Sequence, residues 1–441
     1  PSDISAMGLS GQMHGSVFLE KGKVIRPALL WCDQRTQAQC DSIYNTFGGE
    51  EEFIKLSYNK ALTGFTAPKI LWLREVEPDN YKKVDRILLP KDYIRYKLSG
   101  TFATEVSDAS GTILMDIAKR SWSDKILEGL SIEKDMLPPV YESSKVTSRV
   151  SEGAAKITGL TSGTPIVGGA GDQAGGAVGS GIVEEGIISD CLGTSGVVFA
   201  HSDRPSYDTK GRLHCFCHAA EGAWHLMGVT LAAAGSYKWY HDTIGVSPDM
   251  SKAYPDLSGY GLLNKQAKKA APGSDGLIFL PYLSGERTPY ADPYARGVFF
   301  GLSYIHNQNH LVRSVLEGIS YSQYDCLNLM KDLGITSNKV VLFGGGARSK
   351  LWRQIISDIF DTRIVTLNVE EGPSYGAAIL AGVGAGIYRD VKEATDKIIR
   401  EDTEVDPIAE NVSKYSKYYK VYRSLYGSLK GDFEKLELAG K

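Results

Sequence analysis

Residues 174–181 carry almost nothing larger than valine, and they follow directly on the glycine-interrupted stretch Pro165-Ile166-Val167-Gly168-Gly169-Ala170-Gly171-Asp172-Gln173. The apolar start of that stretch reads as a buried strand that stops at the glycines. Beyond it, glycine inside a helix costs roughly 1 kcal/mol relative to alanine, so a glycine-rich helix needs a compensating use. That use is close approach, because without a Cβ another backbone can lie against it. Residues 374–385 form a second small-residue helix by the same reasoning.

The rest of the chain alternates in the α/β manner. Residues 4–9 are expected as a strand entering the polar turn 10–15, residues 24–31 as a second apolar run, and residues 33–44 as an exposed helix. Helices are predicted over 68–75 and 92–98, the latter stopped by Gly100, with extended chain over 86–89. Residues 104–115, rich in Ser, Thr, Asp and Gly, read as loop or short strand. Two apolar strands, 187–192 and 197–200, flank the turn Gly193-Thr194-Ser195-Gly196. Strands follow over 277–280, 340–343 and 363–367, and a long helix over 310–333 carries Leu311, Val315 and Ile319 on one stripe. The next helix aligns Leu351, Ile355, Ile356 and Ile359, and the Lys/Tyr-rich run 414–426 reads as a terminal amphipathic helix. With 441 residues and 42% hydrophobic content, two domains are expected, divided near 182–186.

A formal net charge of -3, from 49 basic and 52 acidic residues, offers no electrostatic footprint for nucleic acid or an anionic membrane. Small ligands are the expected partners. The six cysteines are too scattered for a disulfide scaffold, which suits a reducing, cytoplasmic location. Cys215 and Cys217 alone sit close together, and without a second ligand pair at metal spacing they read as two side chains on one face of a strand. No apolar run approaches the roughly 20 residues that span a bilayer.

Three places can carry chemistry. Asp172 lies at the mouth of a buried strand, where ligands of open α/β sheets bind. There a carboxylate can accept a hydroxyl proton, or it can simply cap the helix that follows. The turn Gly193-Thr194-Ser195-Gly196 can cradle phosphate oxygens or be an ordinary hairpin turn. Gly344, Gly345 and Gly346, after an apolar strand and ahead of a helix, can pass the backbone close to a nucleotide, although neither a Walker loop nor a dinucleotide fingerprint is present. Gln12, Met13 and His14 form a polar turn at a strand end, suited to hydroxyl recognition or to a structural histidine.

Taken in order, these residues resemble the FGGY family of carbohydrate kinases, and within it the xylulokinase branch. The family's second signature is matched by Gly297-Val298-Phe299-Phe300-Gly301-Leu302 and, after a seven-residue spacer, by residues 310–317, His-Leu-Val-Arg-Ser-Val-Leu-Glu. The first signature is approximated by Gly64, Thr66, Lys69, Trp72, Leu73 and Glu75, with Val76 where a polar residue is usual. The resemblance implies two actin-like (ribonuclease H-like) ATPase domains with an active-site cleft between them, residues 1–183 binding sugar and residues 184–441 binding ATP. It implies that Asp172 is the catalytic base and that Met13 and His14 contact the sugar, with Gln12, Trp31, the Asp33-Gln34-Arg35 run and Gln173 beside it. Thr194 matches a phosphate contact, flanked by Gly193 and Ser195. Gly235, Gly345 with its neighbour Gly346, and Ser349 match nucleotide contacts. Magnesium is the implied metal, with Asp172 acting on it indirectly. Family members also begin with an Asp-x-Gly-Thr-type phosphate loop, expected upstream of Pro1. The implied reaction is ATP-dependent phosphorylation of a ketose, D-xylulose to its 5-phosphate, and a homodimer is compatible with it. The alternatives are a kinase for another ketose or polyol, and a catalytically weak sugar-binding or regulatory protein.

Overall fold

In the computed structural model, which describes residues 3–246, 248–368 and 372–439, the two small-residue helices meet. Helix Asp172–Gly179 lies against helix Pro373–Gly384. A Cβ on Gly376 would sit 1.9 Å from the Gly175 carbonyl oxygen, and one on Gly179 would sit 2.1 Å from that of Gly372. The glycines therefore pack backbone on backbone, and Val178, Ile379 and Leu380 seal the seam as buried core.

The chain folds into two compact units, neither of them contiguous. The first comprises Pro1–Glu185, His201–Leu226 and Glu371–Ile399; the second comprises Gly186–Ala200, Met227–Glu370 and Arg400–Lys441.

In the first unit, Ser10–Gly11 pairs in parallel with Ala170–Gly171, and Pro165–Val167 pairs antiparallel with Val146–Arg149. Helix Thr66–Val76 and helix Pro90–Ser99 follow the sequence expectation, the latter ending on Gly100 at φ 76°. Three expectations change. Residues 4–9 form one isolated bridge at Met7, whose N–H donates to Pro165 and whose carbonyl accepts from Val167, and the Leu9 carbonyl accepts from Ala170, so regular strand begins at Ser10 (Pro1 and Ser2 lie outside the described residues). The apolar run after residue 23 is strand only at Lys23–Val24, with one further bridge from Leu29 to Ser16, because Pro27 cannot donate to a ladder. Residues 104–115 contain the short helix Val106–Ser110, whose first N–H groups are capped by the Glu105 side chain.

The second unit is built on a sheet in which Gly196–Ser202, Gly186–Leu192, Ser337–Phe343, Arg363–Leu367 and Glu401–Val405 are successive neighbours. The middle three run parallel, and the outer two pair antiparallel to them. Helix Gln308–Asp332 opens on a capping box at Asn307 and buries Val315, Leu316 and Ile319, while Leu311 is half-buried. The Lys/Tyr-rich run lies within helix Ala409–Ala439, whose buried stripe is Tyr415, Tyr419, Tyr422 and Tyr426. Two of those hydroxyls reach buried carboxylates, Tyr415 to Glu317 at 2.8 Å and Tyr419 to Asp325 at 2.6 Å. No described helix is long and apolar enough to cross a membrane.

Candidate active site

Parallel strands end on the same side, so the pairing of Gly11 with Gly171 delivers Gln12, Met13 and His14 beside Asp172 and Gln173. Met13 is buried and fills the space that a side chain at Gly171 would need: a Cβ there would lie 2.8 Å from its Cγ and 3.1 Å from its Sδ. Met13 is thus an apolar wall behind the turn.

His14 adopts φ 69°, a left-handed conformation uncommon outside glycine. Its ring Nδ1 lies 2.8 Å from the Gly111 carbonyl and its centroid 4.5 Å from that of Phe65. With a carbonyl as partner, Nδ1 is the donor of that bond. The His14 carbonyl is held too, accepting from Thr66 Oγ1 at 3.1 Å and Lys69 Nζ at 2.8 Å. A residue held in strain from several sides is the kind of feature that concentrates at ligand sites.

Lys69 is fully buried, and desolvation draws its pKa down to about 8, against the opposing pull of Asp33 and Cys32. Its ammonium also donates to the Gly64 carbonyl. Gly64 in turn leaves room for the Trp31 carbonyl, 2.5 Å from where a Cβ would be. The Trp31 backbone therefore joins this cluster, while its side chain is exposed. Beside it, desolvation of Asp33 is outweighed by Arg35, whose Nε donates at 2.8 Å and holds the carboxyl below its ordinary pKa. Lys69 and Gly111 were not singled out for the sugar turn by sequence reasoning. The available signal was Thr66 and Lys69 at i, i+3, which places both donors on one helix face.

Asp172 is the first residue of its helix, and Gly171 is the cap position, with no side-chain cap. Its Oδ1 accepts the N–H of the next residue, Gln173, at 2.8 Å. Burial raises its pKa, opposed by the Gln173 hydrogen bonds. A half-buried carboxylate at a helix N-terminus, beside a strained polar turn, can receive a proton from a hydroxyl docked there.

The second unit gathers the other group. The hairpin register sets Leu192 opposite Gly196, leaving Gly193, Thr194 and Ser195 as its turn, with Thr194 exposed. The N–H groups of Ala233 and Gly235 donate to the Thr194 carbonyl at 3.0 and 3.1 Å, and that of Ala234 to Gly193 at 2.9 Å. A Cβ on Gly235 would lie 2.7 Å from the same Thr194 oxygen, so the start of helix Ala234–Thr243 is fitted to the turn. Parallel pairing of Cys191 with Phe343 brings the glycine run 344–346 alongside. Gly344, at φ 85°, and Gly346 pack on Leu192, whereas Gly345 is exposed, with nothing within 4 Å of its Cβ position. Gly344 is exposed as well, but Gly345 alone of the three has open space at its Cβ position. Ser349 caps helix Lys350–Phe360: its Oγ accepts from Trp352 N at 3.2 Å and donates to Asn264 at 3.0 Å. The exposed Thr194 hydroxyl and the uncovered backbone at Gly345 form a donor surface suited to phosphate oxygens.

The fold and the two groups define the class: α/β, of the two-domain actin-like ATPase type. A xyloylose kinase from Brucella ovis has the same fold with a TM-score of 0.88 at 33% identity, covering 98% of this chain and 86% of that one. The gluconate kinase of Lactobacillus acidophilus gives 0.90 at 26% identity over the same shares. The xylulose kinase of Bacillus subtilis (strain 168) is 39% identical over 426 residues, 96% of this chain and 83% of that protein. The N-terminal domain model of the FGGY family of carbohydrate kinases matches residues 1–179 and its C-terminal domain model residues 190–385, and the chain belongs to that family.

Proposed function

We propose that this chain transfers the γ-phosphoryl group of ATP to the terminal hydroxyl of D-xylulose, with residues 1–183 holding the sugar and residues 184–441 the nucleotide. The observation that carries the reading is the parallel pairing of Ser10–Gly11 with Ala170–Gly171, which sets Asp172 beside the strained, pinned turn at Met13 and His14. In this reading Asp172 takes the proton of the attacking hydroxyl, while His14 Nε2, Gln12 and Gln173 orient the sugar. Met13 and the Trp31 backbone shape the wall. Gly193, Thr194 and Ser195, with Gly235, Gly345 and Gly346, receive the nucleotide, and Ser349 supports it by fixing the helix start. Phosphoryl transfer of this kind depends on positioning and charge neutralisation.

Magnesium supplies charge neutralisation on the phosphates when bound. In this reading the hard phosphate oxygens of the nucleotide would be among its ligands, and Asp172 would contact it indirectly.

The decisive measurement is ADP release with D-xylulose, D-gluconate and glycerol as acceptors, on wild type and Asp172→Ala. Turnover stimulated selectively by D-xylulose, and lost by several orders of magnitude in the variant while sugar binding persists, is the expected result. The wild-type rate should also fall as pH drops through an Asp172 pKa that lies above the ordinary carboxylate value. Near-normal turnover in Asp172→Ala would refute the base assignment, and selective stimulation by D-gluconate would replace the substrate.

A further inference from the structure

We propose that Ser107, oriented by Glu105, is a positioning residue that fixes the backbone at Gly171, one residue before Asp172; the inference rests on reading Asp172 as the base. Consider how residues 168–171 are tied down. The N–H groups of Gly168, Gly169 and Ala170 donate to the carbonyls of Lys145, Ser143 and Leu9 at 2.9, 2.9 and 3.0 Å. The fourth N–H, that of Gly171, adjoins Asp172, and its partner is a side chain, Ser107 Oγ at 3.1 Å. Backbone carbonyls cannot be deleted by substitution, but this acceptor can.

The Ser107 hydroxyl has one proton, and Glu105 takes it, with Oε2 at 2.8 Å and Oε1 at 3.0 Å. The hydroxyl lone pairs are thereby turned toward Gly171. Glu105 is itself fixed by the N–H groups of Ser107 at 2.8 Å and Asp108 at 2.9 Å, by Ser143 Oγ at 2.7 Å, and by the Lys91 ammonium at 3.5 Å. Every one of these side chains is buried. Capping of helix Val106–Ser110 explains the two bonds from N–H groups. It does not explain why the capped serine reaches across to the strand, nor why a fully buried lysine and Arg95 also donate to the Gly168 carbonyl. A chain of charge-assisted contacts that ends on the peptide next to a base is a device for holding that base in place.

A displacement near 1 Å at a reacting group can cost about a hundredfold in rate. In Ser107→Ala, kcat should therefore fall roughly ten- to a hundredfold, with KM for sugar and ATP changed by less than about threefold. Ser107→Thr, which keeps the hydroxyl, should recover most of the loss. The discriminating comparison is made in the Asp172→Asn background by single-turnover measurement, where Ser107→Ala should cause no further loss, since its target is already gone. An equal loss in both backgrounds, or loss without recovery in Ser107→Thr, would overturn the proposal. Failure of the underlying reading shows separately, as an Asp172→Asn enzyme close to wild type. If Ser107→Ala does not fold, Glu105→Gln, read against the same background, decides the same question.

Discussion

Gly376→Ala should destabilise the protein although alanine is the better helix former. The added Cβ would lie 1.9 Å from the Gly175 carbonyl oxygen, and Gly376 is also within 2.9 Å of the Gly179 nitrogen by the same measure. Both obstacles are backbone, so no side chain can rotate away. To reach even 3.0 Å, the closest distance real Cβ atoms adopt, the two helices must part by roughly 1.1 Å. Overpacking of that kind costs about 1–3 kcal/mol, and the propensity gain of Ala over Gly returns about 1. A rigid backbone clash belongs at the upper end, so the net expected loss is about 1–2 kcal/mol, a few degrees in melting temperature. The molecule carries its own control in Gly427, inside helix Ala409–Ala439 with nothing near its Cβ position. There the propensity term acts alone, and Gly427→Ala should stabilise by about 1 kcal/mol. Differential scanning calorimetry of the two variants should show shifts of opposite sign. A Gly376→Ala protein that melts at or above the wild-type temperature would refute the backbone-contact argument.

Two further outcomes follow from buried charge. Asp190 sits in the central sheet, fully buried with neither oxygen hydrogen-bonded among the described residues, and burial raises its pKa from 3.8 to about 8. The folded state then binds the extra proton, so stability from this group is complete below pH 4 and lost as pH rises toward 8. Asp190→Asn should flatten that decline in urea unfolding between pH 5 and 8, and parallel curves for the two proteins would contradict it. Lys69→Met keeps the stem but removes the hydrogen bonds to the His14 and Gly64 carbonyls. Each charged hydrogen bond is worth about 1.5–3 kcal/mol, so the sugar KM should rise at least about tenfold, with the nucleotide KM steady; the reverse pattern would detach Lys69 from the sugar turn.

Much of this was legible in the sequence where a single residue type has a single physical use. Gly100 ends its helix in the left-handed conformation that glycine permits, and the small residues at 174–181 do receive another backbone. The hairpin around Gly193 was legible because two apolar strands bracket a turn of glycines and hydroxyls. What could not be read is whatever depends on distant segments meeting. The pinning of His14 needs Thr66, Lys69 and Gly111, which no local pattern joins to residue 14. Helix Val106–Ser110 is too short to show a period, and its cap is glutamate, not among the usual capping residues. At Asp172 the sequence left base and cap equally open, and the structure puts Gly171, not Asp172, at the cap position of the helix. Ser349, which the resemblance matched to a nucleotide contact, also caps helix Lys350–Phe360 and donates to Asn264.

The helix pair also has a consequence for how the chain is made. Helix Asp172–Gly179 emerges from the ribosome almost two hundred residues before Pro373–Gly384, its partner in the first unit. Synthesis proceeds at about 5–20 residues per second, so the glycine seam stays open for roughly 10–40 seconds while most of the second unit is translated. The first unit cannot finish folding as an N-terminal domain ordinarily would. Its apolar seam must be kept from other chains during that interval, and a fragment ending near residue 185 should lack the surface that closes it.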